Sequence, residues 1–197
     1  MKAFNVVVVL GFGLIMATKV SAAKMDINPL GEMTILPIEN LCEVNVSNAH
    51  IDFGAKTVGQ LQPIAGEQKR SLGKRSFRLN VVCPFTQEMR VVLRSGRSTN
   101  GQLPFGEGGS ITLRISNAEL DAKPMQLSLI KDGMHKKTAS DSVFLRPDFG
   151  VMATDGGNVI KGKTFSAQLE VEPVLSEKEL PVSQRKIETN FTLELVK

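Results

Sequence analysis

The fold class of this chain is decided by the stretch Phe165-Ser166-Ala167-Gln168-Leu169-Glu170-Val171-Glu172. Apolar and polar residues alternate strictly along it. In an extended backbone successive side chains point to opposite faces, so the four apolar residues share one face and the polar residues share the other. The stretch therefore predicts a β-strand that has one face in a core and one face in solvent.

Seven further stretches of the chain have the same period of two, and convincing helical periodicity is missing. The predicted strands cover residues 44–46, 51–54, 77–83, 89–93, 111–116, 125–129, 165–172 and 189–196. Clusters of Gly, Pro, Asn and Ser separate them, which is typical of an antiparallel β-sandwich. We therefore expect an all-β fold in one domain, in which residues 101–109 and 176–186 are long loops.

The N-terminus has the features of a cleavable export leader. Lys2 supplies a positive charge, and an apolar run follows from Val6 to Ala17, which is too short to span a bilayer. Small residues allow cleavage before Ala23 or before Lys24, and the second is preferred. The predicted leader is residues 1–23, and after its removal no run of membrane length remains. The alternative is an uncleaved anchor.

Residues 24–40 form a predicted N-terminal extension between the leader and the first cysteine. Six of its residues share one parity, so an extended backbone would place them all on one face. They are Met25, Ile27, Pro29, Gly31, Met33 and Ile35. Mature N-termini are usually frayed and polar. The extension therefore reads as a strand without an obvious partner in its own chain.

The chain contains two cysteines, Cys42 and Cys83. In an exported protein a lone pair most simply predicts one disulfide, whereas two free thiols are the alternative. On the chain-entropy model a loop of this size stabilises the fold by about 4 kcal/mol.

Composition and spacing argue against several kinds of site. The net charge of +4 falls to +2 when Lys2 and Lys19 leave with the leader, and the remaining charges are interspersed, so we expect no nucleic-acid partner. The basic residues 69, 70, 74 and 75 lie among Gly and Ser, which predicts a solvated loop. His50 and His135 have no ligand spacing, and the aspartates have no spacing that suggests a paired acid and base. We therefore expect no metal, no cofactor and no enzymatic activity.

One motif imitates a nucleotide-binding loop. The residues Gly157-Asn158-Val159-Ile160-Lys161-Gly162-Lys163-Thr164 match the phosphate-loop pattern in full. Such a loop works by leading into a helix whose first amides bind phosphate. Here the alternating stretch 165–172 follows directly, so the next element is predicted to be a strand. We therefore interpret the motif as a glycine-rich hairpin connection.

Taken together, these features resemble the subunits of chaperone-usher fimbriae, most closely the small minor and tip subunits of P-pilus type. The resemblance covers most of the first hundred residues and rests beyond them on strand pattern and length. Four features carry it. The first two are the leader and the extension with its central glycine, Asp26-Ile27-Asn28-Pro29-Leu30-Gly31-Glu32-Met33-Thr34-Ile35. The third is a strand from Cys42 to Val46 that is followed by Phe53-Gly54, eleven residues after the cysteine, and the fourth is the strand that contains the second cysteine, Phe77-Arg78-Leu79-Asn80-Val81-Val82-Cys83-Pro84-Phe85.

The resemblance implies an incomplete immunoglobulin-like β-sandwich, the pilin domain, covering residues 41–197. Such a domain lacks its last strand and is completed by a donor strand from a partner. A periplasmic chaperone supplies that strand first, and a neighbouring subunit supplies it after passage through an outer-membrane usher. The implied donor-strand residues are Met25, Ile27, Pro29, Gly31 and Met33. Thr189, Phe191, Leu193 and Leu195 are implied to line the groove and to contact the chaperone. The protein would be periplasmic during assembly and then part of a cell-surface fimbria.

The C-terminus departs from the family pattern. Gln184 and Val196 stand where the family usually has a glycine and a penultimate tyrosine, which puts the choice of chaperone in doubt. An ordinary closing strand in a complete sandwich is an alternative for the fold. A tip adhesin, or receptor-binding module, is the alternative for the function, and a complete sandwich with another periplasmic role, enzymatic or not, is the third.

Overall fold

The computed structural model of the protein describes residues 42–47, 50–136, 138–180 and 187–196. These residues form β-strands and two short 3-10 helices, Val58–Gln60 and Glu177–Glu179. The strands are β1 (Glu43–Val46), β2 (Gln62–Pro63), β3 (Lys69–Ser71), β4 (Arg75–Gln87), β5 (Arg90–Arg94), β6 (Leu103–Phe105), β7 (Gly109–Leu120), β8 (Lys123–Lys131), β9 (Met134–His135), β10 (Ser142–Leu145), β11 (Phe149–Asp155), β12 (Asn158–Val159), β13 (Gly162–Ser176) and β14 (Thr192–Val196).

The strands form two antiparallel sheets, which confirms the predicted all-β class and is consistent with a β-sandwich. The first sheet has the order β1-β4-β13-β7, with the short strands β3, β6 and β10 added at its margins. The alternating stretch 165–172 lies in β13, which pairs with β4 on one side and with β7 on the other. Its four apolar residues face the core as predicted, because Phe165, Ala167, Leu169 and Val171 are all buried.

The second sheet has the order β8-β11-β5-β14. A tight hairpin joins it to the first sheet, because the end of β7 pairs with the start of β8 and only Asp121 and Ala122 lie between them. Both residues have positive φ angles, 50° and 61°, as the two central residues of a type I′ turn require. The core lies between the sheets and contains wholly buried aliphatic side chains: Leu79, Val81, Leu93, Leu113, Ile115, Leu127, Val151 and Leu169.

Strand β11 was not predicted from the sequence. Val151 and Ala153 face the core, and Met152 and Thr154 on the opposite face are also buried. Both faces of the strand are therefore buried, so its sequence does not alternate between apolar and polar residues. Gly150 has no side chain, which lets the neighbouring strand β5 lie close to it. A β-carbon at Gly150 would lie 2.8 Å from Val92 Cγ2 and 3.0 Å from the carbonyl oxygen of Val91.

Three local predictions are wrong. Residues 51–54 do not form a strand, although Ile51 and Phe53 still pack against the core. Residues 101–109 are not a long loop, because β6 folds back on β7 and buries Leu103 and Phe105. The basic residues 69–75 are not a simple solvated loop, because β3 lies among them. The physical reason is pairing: β3 adds to the end of β13, and Arg70 Nε lies 2.9 Å from a carboxylate oxygen of Glu177.

The glycine-rich motif leads into a strand, as predicted. Gly162 is the first residue of β13, and β12 forms a short hairpin with β11 immediately before it. The amides of Lys163 and Thr164 donate hydrogen bonds to Oδ1 of Asp121, at 3.0 and 2.8 Å. A side-chain carboxylate therefore occupies amides that would bind phosphate in a true phosphate loop.

Candidate functional site

Strands β1 and β14 are the outer strands of the two sheets. Strand β1 pairs with β4, and β14 pairs with β5. Within the described part of the chain, neither has a partner strand on its other side. Each therefore presents a row of backbone amides and carbonyls that can pair with a further strand. We call the free sides of Glu43–Val46 and Thr192–Val196 together the open edge.

The apolar side chains of β14 are only partly covered. Leu193 pairs with Leu93 and Leu195 pairs with Val91 across the β14–β5 ladder. Leu93 is 0 % exposed and Val91 is 1 % exposed, whereas Leu193 and Leu195 are only half-buried. The inward-facing side chains of β5 are therefore fully buried, whereas those of the edge strand β14 are only half-buried.

The same relationship holds across the other sheet. Val44 pairs with Val81 and Val46 with Leu79. Val81 and Leu79 are both 0 % exposed, and the two β1 valines are half-buried while packing against the core. Two edge strands from opposite sheets thus each carry an apolar stripe that another strand could cover.

The two edge strands come close to each other without pairing. Cα atoms of β1 and β14 approach within 8 Å, yet no ladder hydrogen bonds join them among the described residues. They therefore border one mouth of the same core. A strand added to the free side of one of them could pair with its amides and carbonyls, and its inward side chains would meet the half-buried stripe of that edge strand.

A disulfide fixes β1 at this mouth. Cys42, the residue before β1, is bonded to Cys83 in β4, and their Cα atoms are 4.3 Å apart. This confirms the predicted pairing. Because β1 has only four residues, its ladder with β4 is short, and the covalent link holds the strand where hydrogen bonds alone would hold it weakly.

Charged side chains flank the open edge on its solvent side. Glu43 on β1 and Glu194 on β14 are both exposed. Arg94 of β5 contacts Oδ1 of Asp148 at 2.9 Å and Oε2 of Glu194 at 3.6 Å. One guanidinium is therefore shared by two carboxylates, and the solvent side of the edge carries an excess of negative charge.

A shallow pocket lies where β14 begins. It is lined by Arg94, Ser95, Gly96, Asn190, Phe191, Thr192 and Glu194. Phe191 packs against the core from one side of this pocket. Just before it, the hydroxyl of Thr189 donates a hydrogen bond to the carbonyl oxygen of Pro104 at 2.6 Å, which ties the start of this segment to β6.

The structure brings three of the four predicted C-terminal residues together. Phe191, Leu193 and Leu195 lie on one side of the terminal segment and pack against the core, whereas Thr189 is bonded to β6. The predicted donor-strand residues lie outside the described residues: Met25, Ile27, Pro29, Gly31 and Met33. Sequence reasoning did not assign Val44 and Val46 to the site. Their alternation was visible, but only the sheet order places them beside the same mouth as β14.

Two groups with shifted pKa values lie outside the edge strands. The Nζ of Lys74 donates a hydrogen bond to Glu170 at 3.1 Å, and this bond, reinforced by the charge of Glu172, raises the pKa of Lys74. Hydrogen bonds from the amides of Thr164 and Lys163 lower the pKa of Asp121. Both groups stabilise the sheets and their turns, and neither belongs to the open edge.

The described residues contain no group of three or more His, Cys, Asp or Glu side chains arranged to hold a metal ion. None of their helices has the length and apolar character needed to cross a membrane.

No family model matches the chain. The chain is similar to the uncharacterized protein YhcE of Escherichia coli (strain K12), with 24% identity over 157 residues. The aligned region covers 77% of this chain and 86% of that protein. The two chains therefore match over most of their lengths, and the relative's name states no activity.

Proposed function

We propose that this protein is a structural subunit of a cell-surface fimbria and that it polymerises by exchange of donor strands. The observation that carries the proposal is the open edge, where half-buried Leu193 and Val44 lie one strand away from wholly buried partners. An edge of this kind is an aggregation hazard in a free protein. A strand supplied by another chain removes the hazard, and the sequence resemblance to chaperone-usher fimbrial subunits supports such a role.

The physical basis of the joint is strand addition. Main-chain hydrogen bonds to the free side of β1 or of β14 supply affinity, and alternate side chains entering the core supply specificity. Each fully buried aliphatic side chain contributes about 1.5–3 kcal/mol before entropic costs. Three or four such side chains suffice for a long-lived joint. In this proposal Met25, Ile27, Pro29 and Met33 are those side chains, and Gly31 passes a shallow part of the neighbour's groove.

The proposal implies three kinds of partner. A periplasmic fimbrial chaperone covers the open edge after export, an outer-membrane usher receives the complex, and neighbouring subunits replace the chaperone in the fibre. In this proposal the protein is periplasmic during assembly and displayed on the cell surface afterwards, with no catalytic role.

The first test is coexpression of the exported chain with a fimbrial chaperone in a bacterial periplasm. We expect the two proteins to copurify as a complex. A variant that lacks residues 24–36 should still copurify, because the open edge lies in the retained part, but it should not attach to a neighbouring subunit.

The alternatives give different results in the same system. Normal fibre assembly by the deletion variant would contradict a donor role for residues 24–36. A free chain whose stability is unchanged by a chaperone and by a donor peptide would favour a complete sandwich. Specific binding of the purified domain to glycans would favour the adhesin.

A further inference from the structure

The ladder between β4 and β13 contains a bulge near the end of β4. Along β13 the pairing passes from Thr164 to Gly162, a step of two residues, while along β4 it passes from Val82 to Gln87, a step of five. The extra residues of β4 have no partner of their own on β13, which is the arrangement of a β-bulge. Bulges interrupt the alternation of a strand and re-aim its side chains.

Phe85 lies on this bulge and is largely exposed. Its parity is that of the preceding core residues of β4, which are Leu79, Val81 and Cys83. Regular alternation would therefore place the ring in the core. Instead Phe85 is 54 % exposed, Val82 just before the bulge is 53 % exposed, and Pro84 is exposed as well. We call Val82, Pro84 and Phe85 together the bulge patch.

The bulge patch lies beside Cys42, two residues after the predicted extension 24–40. Cys83, which follows Val82, is bonded to Cys42, and the Cα atoms of the two cysteines are 4.3 Å apart. The Cα of Phe85, two residues further along β4, lies within about 7 Å of the Cα of Cys83. Two of the five large hydrophobic side chains that are exposed in the described part of the chain therefore lie next to the root of the extension.

The length of the chain limits where a neighbouring subunit can lie. In the proposed function residues 25–33 are buried in that neighbour, and nine residue steps separate Met33 from Cys42. Fully extended, nine residues span no more than about 32 Å. The neighbour's surface therefore lies within this distance of Cys42, whichever edge strand the extension joins and in whatever register it pairs.

We propose that the bulge patch makes a second contact with the subunit that receives this chain's extension, and that a second copy of this chain supplies an apolar surface for it. The inference rests on the proposed function, because the extension must bring the neighbour to the patch. Clusters of exposed apolar side chains mark interaction sites, and aromatic residues are enriched at protein interfaces. The two contacts, strand and patch, fix the angle between successive subunits, which a strand on a linker would leave free.

Photo-cross-linking tests the contact directly. The donor is the mature chain, residues 24–197, with p-benzoylphenylalanine at position 85. The acceptor is a second copy that lacks residues 24–36, so it can receive an extension but cannot supply one, and each form is coexpressed with a fimbrial chaperone. The matched control carries the photoreactive residue at position 144, because Phe144 of β10 is similarly exposed, at 59 %. Irradiation of the joined pair should cross-link position 85 to the acceptor and leave position 144 without a cross-link.

Competition measures the strength of the contact. A synthetic peptide of residues 24–36 carries the donor strand without the bulge patch, and it is used to displace the donor from the acceptor. A Phe85→Ser donor should be half-displaced at about a tenfold lower peptide concentration than the wild type, since about half of the ring is available for burial. The matched Phe144→Ser donor should stay within about twofold of the wild type. Both variants should copurify with the chaperone and unfold in urea as the wild type does, which checks their fold.

The outcomes separate this inference from the proposed function. Equal cross-linking from both positions, or a Phe85→Ser donor as hard to displace as the wild type, would overturn the inference and leave strand exchange intact. Cross-links from position 85 only to the chaperone, or only to residues 34–41 of the same chain, would also overturn it, because another occupant would then cover the patch. Failure of the wild-type donor to join the acceptor would contradict the proposed polymerisation, and the inference would fall with it.

Discussion

Leu193 of β14 lies directly opposite Leu93 of β5 in the antiparallel ladder, but only Leu93 is sealed from solvent, at 0 % exposure. The two leucines share a sheet face and a register, and they differ in what lies beside them. Leu93 has a strand on each side, β11 and β14, whereas Leu193 has β5 on one side and the open edge on the other. Their energetic contributions should differ accordingly.

Truncation of these two leucines should destabilise the protein to different extents, because one lies in the core and the other at the open edge. Leu93→Ala should cost about 2–5 kcal/mol of unfolding free energy, as expected for a buried leucine, whereas Leu193→Ala should cost about half as much. When a peptide of residues 24–36 saturates the protein, the Leu193→Ala cost should rise by about 1 kcal/mol, because the side chain is then fully buried. Urea unfolding with and without the peptide measures both quantities. Equal costs for the two variants in the free protein would show that the edge is already closed.

Removal of the disulfide should weaken the fold substantially. The double variant Cys42→Ala, Cys83→Ala should lose about 4 kcal/mol on the chain-entropy model, because the bond closes a loop with a sequence separation of 41 residues. Urea unfolding of the oxidised wild type and of the double variant gives the difference. Reductant should destabilise the wild type and leave the double variant unchanged. A loss below about 1 kcal/mol would contradict the model.

Gly150 should not accept a side chain. A β-carbon there would lie 2.8 Å from Val92 Cγ2, between β5 and β8. Gly150→Ala should therefore cost about 1–3 kcal/mol, as overpacking does in a dense core. The matched control is Gly59→Ala in the first 3-10 helix, where a β-carbon meets nothing within 4 Å, and which should change stability by no more than about 0.5 kcal/mol. Similar losses in both variants would rule out the steric explanation.

The carboxylate of Asp121 should make stability depend on pH. Its pKa is lowered from 3.8 in the folded protein, so its contribution is present above the unfolded pKa and is lost as pH falls through the folded value. Asp121→Asn keeps an oxygen acceptor and removes the charge. Because Asp121 is exposed and solvent screens its charge, the variant at pH 7 should be less stable by no more than about 1 kcal/mol, which corresponds to a fall in Tm of at most about 2–4 °C. The deficit should shrink as pH is lowered below about 4, and a deficit independent of pH would contradict the assignment.

The period of two predicted most of the long strands because each has one buried face. β4, β5, β7, β8, β13 and β14 all fall on predicted stretches. β11 escaped prediction because Met152 and Thr154, opposite the core-facing residues, are also buried. Residues 51–54 show the converse error, since Ile51 and Phe53 are half-buried without belonging to a ladder. Alternation in the sequence indicates which side chains are buried. It does not indicate whether the backbone pairs with another strand.

The open edge could be predicted only in part. The alternation of residues 189–196 indicated an apolar stripe, and the two cysteines indicated a bond between early strands. Nothing in the spacing of Val44 and Leu193 states that they border the same mouth. That relationship comes from the fold, in which β1 and β14 are outermost among the described strands of their sheets and their Cα atoms approach within 8 Å.

The position of the disulfide has a mechanical consequence. Cys42 lies one residue before β1 and is bonded to Cys83 in the thirteen-residue strand β4. A pull on the chain from its N-terminal side passes through this covalent bond into β4, which is braced by β13 along most of its length. Tension therefore bypasses the four-residue ladder of β1, so this short strand cannot be peeled from β4 before β4 itself yields.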